Sequence, residues 1–190
     1  VQISRSQQST VFPALVTLVA ATNPCPCGWH GDRDHGCRCS ISQRQRYWQR
    51  LSGPLLDRLD LQLRLERRSA KEMAAVLKQP SPTQAAESWC TPAQIERARQ
   101  RMQRRNPGGD SNGRLSAAAL RQTGAIEAAA LELWEQLINQ RGLSTRSSLQ
   151  LLRVARTIAD LNDRASVDRN AVAEASCFRC TDLLKQPGAQ

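Results

Sequence analysis

Four cysteines fall within fifteen residues, and their spacing is compatible with metal binding. Two close pairs bracket the polar stretch GWHGDRDHG in a C-x-C-x9-C-x-C pattern formed by Cys25, Cys27, Cys37 and Cys39. Four thiolates complete a tetrahedral zinc site, and this loop is long enough to bring the two pairs together. His30 or His35 could replace one thiolate, and the alternative is four reduced cysteines in a turn. If Zn²⁺ binds, we expect it to rigidify the loop rather than to catalyse a reaction.

The cysteine count also bears on the cellular compartment. The chain has seven cysteines, an odd number, and its sequence shows no signal peptide and no transmembrane stretch. Disulfides are rare in the cytosol, where thiols stay reduced or bind metal. We therefore expect a cytoplasmic protein with no membrane partner.

Asn23 follows a nearly continuous apolar run, and Pro24 then turns the chain out of any sheet. The run PALVTLVAAT (13–22) predicts a strand buried on both faces, as in a parallel sheet. A polar residue at the carboxyl end of such a strand lies where open α/β folds bind ligands, so Asn23 could orient a water molecule or a phosphate oxygen. The alternative is an Asx turn before proline, which the spacing by itself favours.

Two arginines are candidates for contact with a nucleotide. A turn could present Arg58 to the nucleotide of a neighbouring subunit, where it would neutralise charge on the γ-phosphoryl group. The alternative is a surface ion-pair cluster with Asp57 and Asp60, which contributes little to stability. Arg146 lies in the first helical turn after the predicted cap Ser144, where a cation opposes the helix macrodipole unless an anion lies at the same end. The alternative is a surface arginine that tolerates this small penalty.

The basic residues favour phosphate-bearing partners. The net charge is +10, and only three of the 27 basic residues are lysines. Guanidinium groups suit phosphate, although a solvated basic surface is the commoner explanation of a high pI. We expect weak DNA binding that falls with added salt, through Arg5, Arg44, Arg46 and Arg50.

The elements that position these residues form an α/β part followed by an all-helical part. Residues 1–23 predict two strands, VQISR and PALVTLVAAT, around a polar turn, and the alternation at 61–65 predicts a third strand. A basic helix is predicted near 93–105, and NPGGDSNG then breaks the chain. Further helices are predicted behind it, with caps at Ser116, Ser144 and Asp168 and a stop at Gly142.

Three stretches occur in one order and resemble the magnesium-chelatase-like ComM/YifB family of AAA+ ATPases: LVAATNPCPCG, SGPLLDRLDL and LSTRSSLQLLRVARTIADL. The resemblance covers nearly the whole chain. It implies part of an AAA+ core at 1–66, with parallel sheet strands and a pre-sensor β-hairpin, then a linker at 67–113 and a helical lid at 114–185. It also implies Asn23 as sensor 1, Arg58 as the arginine finger and Arg146 as the sensor 2 arginine of the lid.

The resemblance further implies an activity. The ComM branch is similar to hexameric helicases that migrate DNA branches during natural transformation, so it implies a ring of like chains that uses ATP and Mg²⁺ to work on DNA. One departure stands out, because the chain has neither a G-x-x-x-x-G-K-[ST] loop nor an apolar strand ending in Asp-Glu. In the family both lie upstream of the matching region. We therefore expect a C-terminal portion that does not hydrolyse ATP by itself.

Two other functions are compatible with parts of the sequence. A zinc-stabilised, arginine-rich nucleic-acid-binding module would explain the cysteines and the charge, but it leaves the Arg58 turn and the lid helices unexplained. The ATPase subunit of a magnesium chelatase has the same core. The cysteine loop and the basic charge favour the ComM branch over the chelatase.

Overall fold

The computed structural model describes residues 2–5, 8–12, 16–78 and 90–179 of the chain. The chain divides into two compact units, Val1–Arg44 and Gln45–Gln190. The first unit carries a β-hairpin and the cysteine loop, and the second carries most of the helices. None of the helices in the described ranges is long and apolar enough to cross a lipid bilayer.

A β-hairpin opens the first unit. Strand β1 (Gln2–Arg5) pairs antiparallel with strand β2 (Gln8–Val11), and Ile3 lies opposite Thr10. The predicted hairpin is confirmed, but its second strand occupies 8–11 rather than 13–22. Part of the stretch predicted as a turn therefore belongs to β2.

The two other predicted strands are wrong for the residues that the structure describes. Residues 16–22 have no regular secondary structure, and Val19 is 89% exposed; residues 13–15 lie outside the described ranges. Residues 61–65 are likewise irregular, with Leu65 89% exposed. A strand needs neighbours that accept and donate its backbone hydrogen bonds, and the hairpin is the only sheet in the described part of the chain. The apolar sequence is present, but the described residues form no sheet that would cover it.

Helices α1 (Ile41–Trp48), α2 (Gly53–Asp57) and α3 (Ala70–Lys78) come first in the chain. The later helices have the three caps and the one stop that the sequence predicts. Ser116, Ser144 and Asp168 each accept a hydrogen bond from the backbone amide three residues on. Gly142 ends its helix with a φ of 62°, in the left-handed region. These later elements are α4 (Pro92–Arg105), two 3-10 turns (Pro107–Gly109 and Asn112–Arg114), α5 (Ala117–Thr123), α6 (Ala128–Arg141), α7 (Thr145–Leu161) and α8 (Arg169–Cys177).

Helix α7 forms the centre of the helical bundle. Its apolar face buries Leu151 and Ala155 in a core shared with α6 and α8. Trp134 of α6 packs against this core, and its indole N–H donates to the Ser148 carbonyl at 2.8 Å. Because each fully buried leucine contributes about 1.5–3 kcal/mol, the bundle has a substantial core of its own. This agrees with the helical lid expected from the sequence.

A buried ion-pair network attaches α4 to this bundle. Arg156 and Asp160 lie one helical turn apart on α7, and both are fully buried with their side chains 3.0 Å apart. Arg105 of α4 reaches the same carboxylate at 2.5 and 2.8 Å, and the Asn112 side chain donates to it at 2.8 Å. The network therefore fixes the end of α4 and the second 3-10 turn, Asn112–Arg114, on α7.

Candidate functional site

The four loop cysteines form one cluster in the first unit. The sulfur atoms of Cys25, Cys27 and Cys37 lie 3.3, 3.6 and 3.7 Å apart, and with Cys39 all four lie within 4.8 Å of one another. In a tetrahedral site with Zn–S bonds of about 2.3 Å, the sulfur atoms are about 3.8 Å apart. The cluster therefore has the size of a four-thiolate metal site.

Local contacts shape the loop between the two cysteine pairs. Gly28 has a φ of 83°, and its amide donates to the Cys25 carbonyl at 3.0 Å, which closes a tight turn. Asp32 accepts a hydrogen bond from the His35 amide at 2.9 Å, and the His35 ring stacks on Trp29 with centroids 4.2 Å apart. His35 is thus engaged within the loop. The metal-binding group found among the described residues consists of cysteines alone.

The thiols of the cluster differ in acidity. The backbone amides of Trp29 and Arg38 donate to Cys27 and lower its pKa to about 6, whereas burial raises the pKa of Cys39 to about 12. Like charges this close oppose each other, so the four thiols do not all ionise without a cation. A divalent metal would supply that cation, because a coordinated thiol is deprotonated.

Arg44 points toward this cluster, although the sequence predicts that it binds DNA. Its guanidinium donates to the Cys39 carbonyl at 2.9 Å and to the Cys37 sulfur at 3.9 Å. These contacts give Arg44 a role inside the protein, where it orients the loop and offsets thiolate charge. Arg46 and Arg50 are exposed, and the side chain of Arg5 lies outside the described part of the chain.

In the second unit, Arg58 ends the short helix α2. A serine cap and a proline in the first turn fix the start of this helix. We call residues 53–60 the finger turn. The Arg58 side chain is exposed and donates to the Pro54 carbonyl at 2.8 Å. Within the described ranges it forms no ion pair with Asp57 or Asp60, the alternative that the sequence left open.

Asp57 instead contacts the N-terminus of α7. Its carboxylate accepts hydrogen bonds from the hydroxyl of Ser144 at 2.9 Å and from that of Ser147. Burial disfavours the ionised form, but the two serine hydrogen bonds, together with the charges of Arg179 and Arg146, outweigh it and lower the pKa of Asp57. The chain itself therefore supplies, in the Asp57 carboxylate, the anion that makes a cation such as Arg146 favourable at this helix N-terminus.

A second contact, which the sequence did not indicate, holds the finger turn on the bundle. Arg179 donates to the Leu59 carbonyl at 3.0 Å and to the side chain of Gln150 on α7. No local pattern predicts such contacts, because the Arg179–Leu59 partners are 120 residues apart. The finger turn and the first turns of α7 form one assembly with two exposed arginines, Arg58 and Arg146. We call it the arginine junction.

Asn23 is exposed and belongs to the first unit. It lies in the irregular segment that replaces the predicted strand, two residues before Cys25. Its side chain makes no hydrogen bond to the described residues. The role of sensor 1 therefore stays a prediction that requires a sheet around this segment.

Comparison with known proteins gives similarity along both units. A family model described as magnesium chelatase, subunit ChlI, matches residues 1–73, and a second, described as the ChlI C-terminal region, matches 85–179. The chain is 35% identical over 185 residues to the uncharacterized protein YifB of Escherichia coli, covering 97% of this chain and 35% of YifB. It is 33% identical over 186 residues to the competence protein ComM of Haemophilus influenzae, covering 97% of this chain and 34% of ComM. The chain thus spans about a third of the length of the curated relatives it matches.

Proposed function

The chain belongs to the magnesium chelatase subunit ChlI family, and on this premise we propose that it is the C-terminal part of a ComM-like AAA+ ATPase. The full-length protein would form a hexameric ring of its own copies in the cytoplasm. It would couple hydrolysis of ATP, with Mg²⁺, to branch migration on DNA during natural transformation. The name of the Haemophilus influenzae relative, competence protein, supports this branch of the family.

The arginine junction is the observation that carries this proposal. An arginine finger must be exposed toward a neighbouring subunit and yet be held on a rigid support, because it acts on a phosphoryl group at a fixed place. Arg58 meets both conditions: its side chain is exposed, and Asp57 ties its turn to α7. Arg146, the proposed sensor 2 residue for the nucleotide of its own subunit, stands on the same support. Movement of α7 on nucleotide binding would therefore move the finger as well.

The exposed apolar segments agree with this proposal. Residues 16–22 and 61–65 carry apolar side chains with no sheet to cover them. In a longer AAA+ chain, the strands of the nucleotide-binding core would pair with such segments. Asn23 would then stand at the carboxyl edge of that sheet, close to the phosphates.

We expect the 190-residue chain alone to show no ATPase activity above background and only feeble ATP binding. Hydrolysis requires a phosphate cradle and a carboxylate that holds Mg²⁺, and the sequence contains neither family motif. Phosphate release and the fluorescence of a labelled ATP analogue measure the two properties, with the full-length protein as the positive control. Turnover by the chain alone that survives repeated purification would contradict the proposal.

A second candidate is supported by the description of the matching family. The ATPase subunit of a magnesium chelatase would use the same arginine junction but would act with a porphyrin-binding partner instead of DNA. The basic composition favours DNA, through Arg5, Arg46 and Arg50 on the N-terminal hairpin and the segment after the cysteines. Stimulation of the full-length ATPase by DNA, and not by porphyrin, would separate the two functions.

We also propose that the cysteine cluster binds Zn²⁺ as a structural ion. A closed set of four cysteine ligands is typical of structural zinc sites, which leave no position for a substrate. Arg44 would act as an outer contact that orients the ligands. The ion would hold the loop directly behind Asn23, so that this residue faces the nucleotide in a fixed direction.

Freshly purified, reduced chain is expected to contain about one zinc ion per molecule. Replacing Cys27 and Cys37 by serine should abolish this content, because a pair of ligands alone binds weakly. The matched control replaces Cys90 and Cys177, which lie outside the cluster, and should keep the zinc. Elemental analysis gives the number of zinc ions per protein molecule. A value well below one in the wild-type protein would contradict the proposal.

A further inference from the structure

A basic groove lies between α4 and the C-terminal end of α7, and the described residues that line it include none from the arginine junction. Its volume is about 400 Å³, and its lining consists of four arginines, two aspartates and one alanine: Arg101, Arg104, Arg105, Arg164, Asp160, Asp163 and Ala165. The lining arginines thus outnumber the carboxylates two to one. We call it the α4–α7 groove.

Both carboxylates of the groove are already neutralised by the protein. Asp160 is fully buried between Arg105 and Arg156. Asp163 accepts an ion pair from Arg101 at 2.7 Å, and Arg97 lies 3.8 Å from it. The groove therefore presents a surplus of positive charge to solvent.

Two of the lining arginines have no such partner. The side chains of Arg104 and Arg164 are exposed and make no hydrogen bond or ion pair with any residue that the structure describes. A guanidinium group offers several donors in one plane, a geometry that matches two oxygens of a phosphate. These two side chains are therefore free to bind an anion in the groove.

The positive charge extends beyond the groove along α4. The helix carries five arginines between positions 97 and 105 and only one acidic residue, Glu96. At a rise of about 1.5 Å per residue, this arginine-rich stretch is about 12 Å long, which is more than a single phosphate group occupies. An extended polyanion fits such a surface better than a small anion does.

We propose that the α4–α7 groove binds the phosphodiester backbone of a nucleic-acid strand. This inference rests on the proposed action on DNA and gives it a contact site in the helical unit, separate from Arg5, Arg46 and Arg50. Among the described residues, those that line the groove include no aromatic side chain on which a base could stack. Binding in the groove is therefore to the backbone and independent of base sequence.

The test measures binding of a labelled single-stranded oligonucleotide of mixed sequence to the 190-residue chain by fluorescence anisotropy, without nucleotide, at several salt concentrations. The groove variant carries Arg104→Ala and Arg164→Ala. The matched control carries Arg64→Ala and Arg121→Ala, two exposed arginines that lie neither on α4 nor in the lining of the groove. Both variants lose two positive charges, so their overall electrostatics are equal.

The groove variant should bind the oligonucleotide about 20-fold more weakly than wild type at 0.1 M salt. The slope of log affinity against log salt concentration should be smaller by about 1.4, because each lost phosphate contact on a single strand removes about 0.7 from the slope. The control should stay within about twofold of wild type, since distant charges are screened. Helical content and melting temperature should be unchanged in both variants. If the alanine variant melts early, the glutamine pair Arg104→Gln and Arg164→Gln replaces it.

Three results would overturn the inference. Equal losses in the groove and control variants would mean that net charge alone drives binding. Displacement of the oligonucleotide by millimolar inorganic phosphate, and not by chloride of equal ionic strength, would mean a site for a small anion. Unchanged DNA binding combined with weaker self-association of the groove variant would assign the groove to an acidic surface of another copy. None of these measurements depends on ATPase activity, so a failure here is distinct from a failure of the proposed function.

Discussion

Replacing Arg58 by alanine in the full-length protein is expected to lower ATP turnover by about 10³-fold or more while ATP affinity changes little. An arginine finger stabilises charge that develops on the transferred phosphoryl group, and it contributes much less to binding of the ground state. Steady-state phosphate release gives the turnover, and a binding titration with a slowly hydrolysed ATP analogue gives the affinity. The matched control is Arg64→Ala, which removes an exposed arginine outside the finger turn and should leave turnover unchanged.

A mixing experiment shows whether Arg58 acts on a neighbouring subunit. Full-length Arg58→Ala subunits should regain activity beside subunits that keep Arg58 but lack the lysine of the phosphate-binding loop. Each kind then supplies, across the shared interface, what the other lacks. If mixed rings form and no activity returns, Arg58 is not a finger that acts in trans.

The structure removes one competing explanation of such a loss. If Arg58 were held by Asp57 and Asp60, its replacement would break surface ion pairs and disturb the turn. Asp57 instead accepts hydrogen bonds from the hydroxyls of Ser144 and Ser147, and Arg58 donates one to the Pro54 carbonyl. The turn therefore keeps its attachment to α7 when the guanidinium is removed. A loss of turnover without a loss of stability reports on chemistry.

The helical unit could be predicted from sequence because its signals are local. A cap such as Ser144 acts on an amide three residues away, and Gly142 ends a helix through its own backbone conformation. The strands could not be predicted in the same way. The run at 13–22 has strand composition, but a strand forms only against partners, and the described residues 16–22 have none. Composition and pairing are separate requirements.

The candidate sites also divide into those that follow from local sequence and those that depend on distant partners. The spacing of the cysteines led to a cluster that the structure assembles, because a loop of nine residues brings the two pairs together. The sequence left open an ion pair between Asp57 and its neighbour Arg58, whereas the fold places the Ser144 hydroxyl beside Asp57. The direction of Arg44 could not be foreseen either. Charge predicts that a guanidinium binds an anion, but not which one.

The groove proposal and the stability of the bundle meet at Asp160. This carboxylate is fully buried and is shared by Arg105, Arg156 and Asn112. Arg156 also donates to the carbonyls of Gly124, Arg164 and Ala165, at 3.0, 2.8 and 2.9 Å. Removing the negative charge would leave buried guanidinium groups without a counterion. Such a loss is costly because the interior does not solvate the remaining charge.

The pKa of Asp160 follows from the same contacts. Burial opposes its ionisation, but the hydrogen bonds from Arg105 and Asn112 and the charges of Arg156 and Arg105 outweigh burial, so the pKa lies below the ordinary value. A carboxyl group with a lowered pKa in the folded state stabilises that state at neutral pH. The stabilisation declines as the pH falls below about 4, the ordinary aspartate value, toward the folded-state pKa.

Asp160→Asn is therefore expected to lower the free energy of unfolding of the helical unit by about 3–5 kcal/mol at pH 7, because it breaks a buried ion-pair network. With a denaturant slope of about 2 kcal/mol per molar, the urea midpoint followed by circular dichroism should fall by about 2 M. The matched control is Asp163→Asn, the same change at a half-exposed carboxylate paired with Arg101, where we expect a loss of about 1 kcal/mol or less. Asp163 has a φ of 59°, a conformation that asparagine also tolerates.

The difference in unfolding free energy between wild type and Asp160→Asn should become smaller as the pH falls below about 4, because wild type then loses the stabilisation that the Asp160 charge provides. Equal midpoints for the two variants at pH 7, or a gap that widens in acid, would mean that the Asp160 charge does not hold α4 on the bundle.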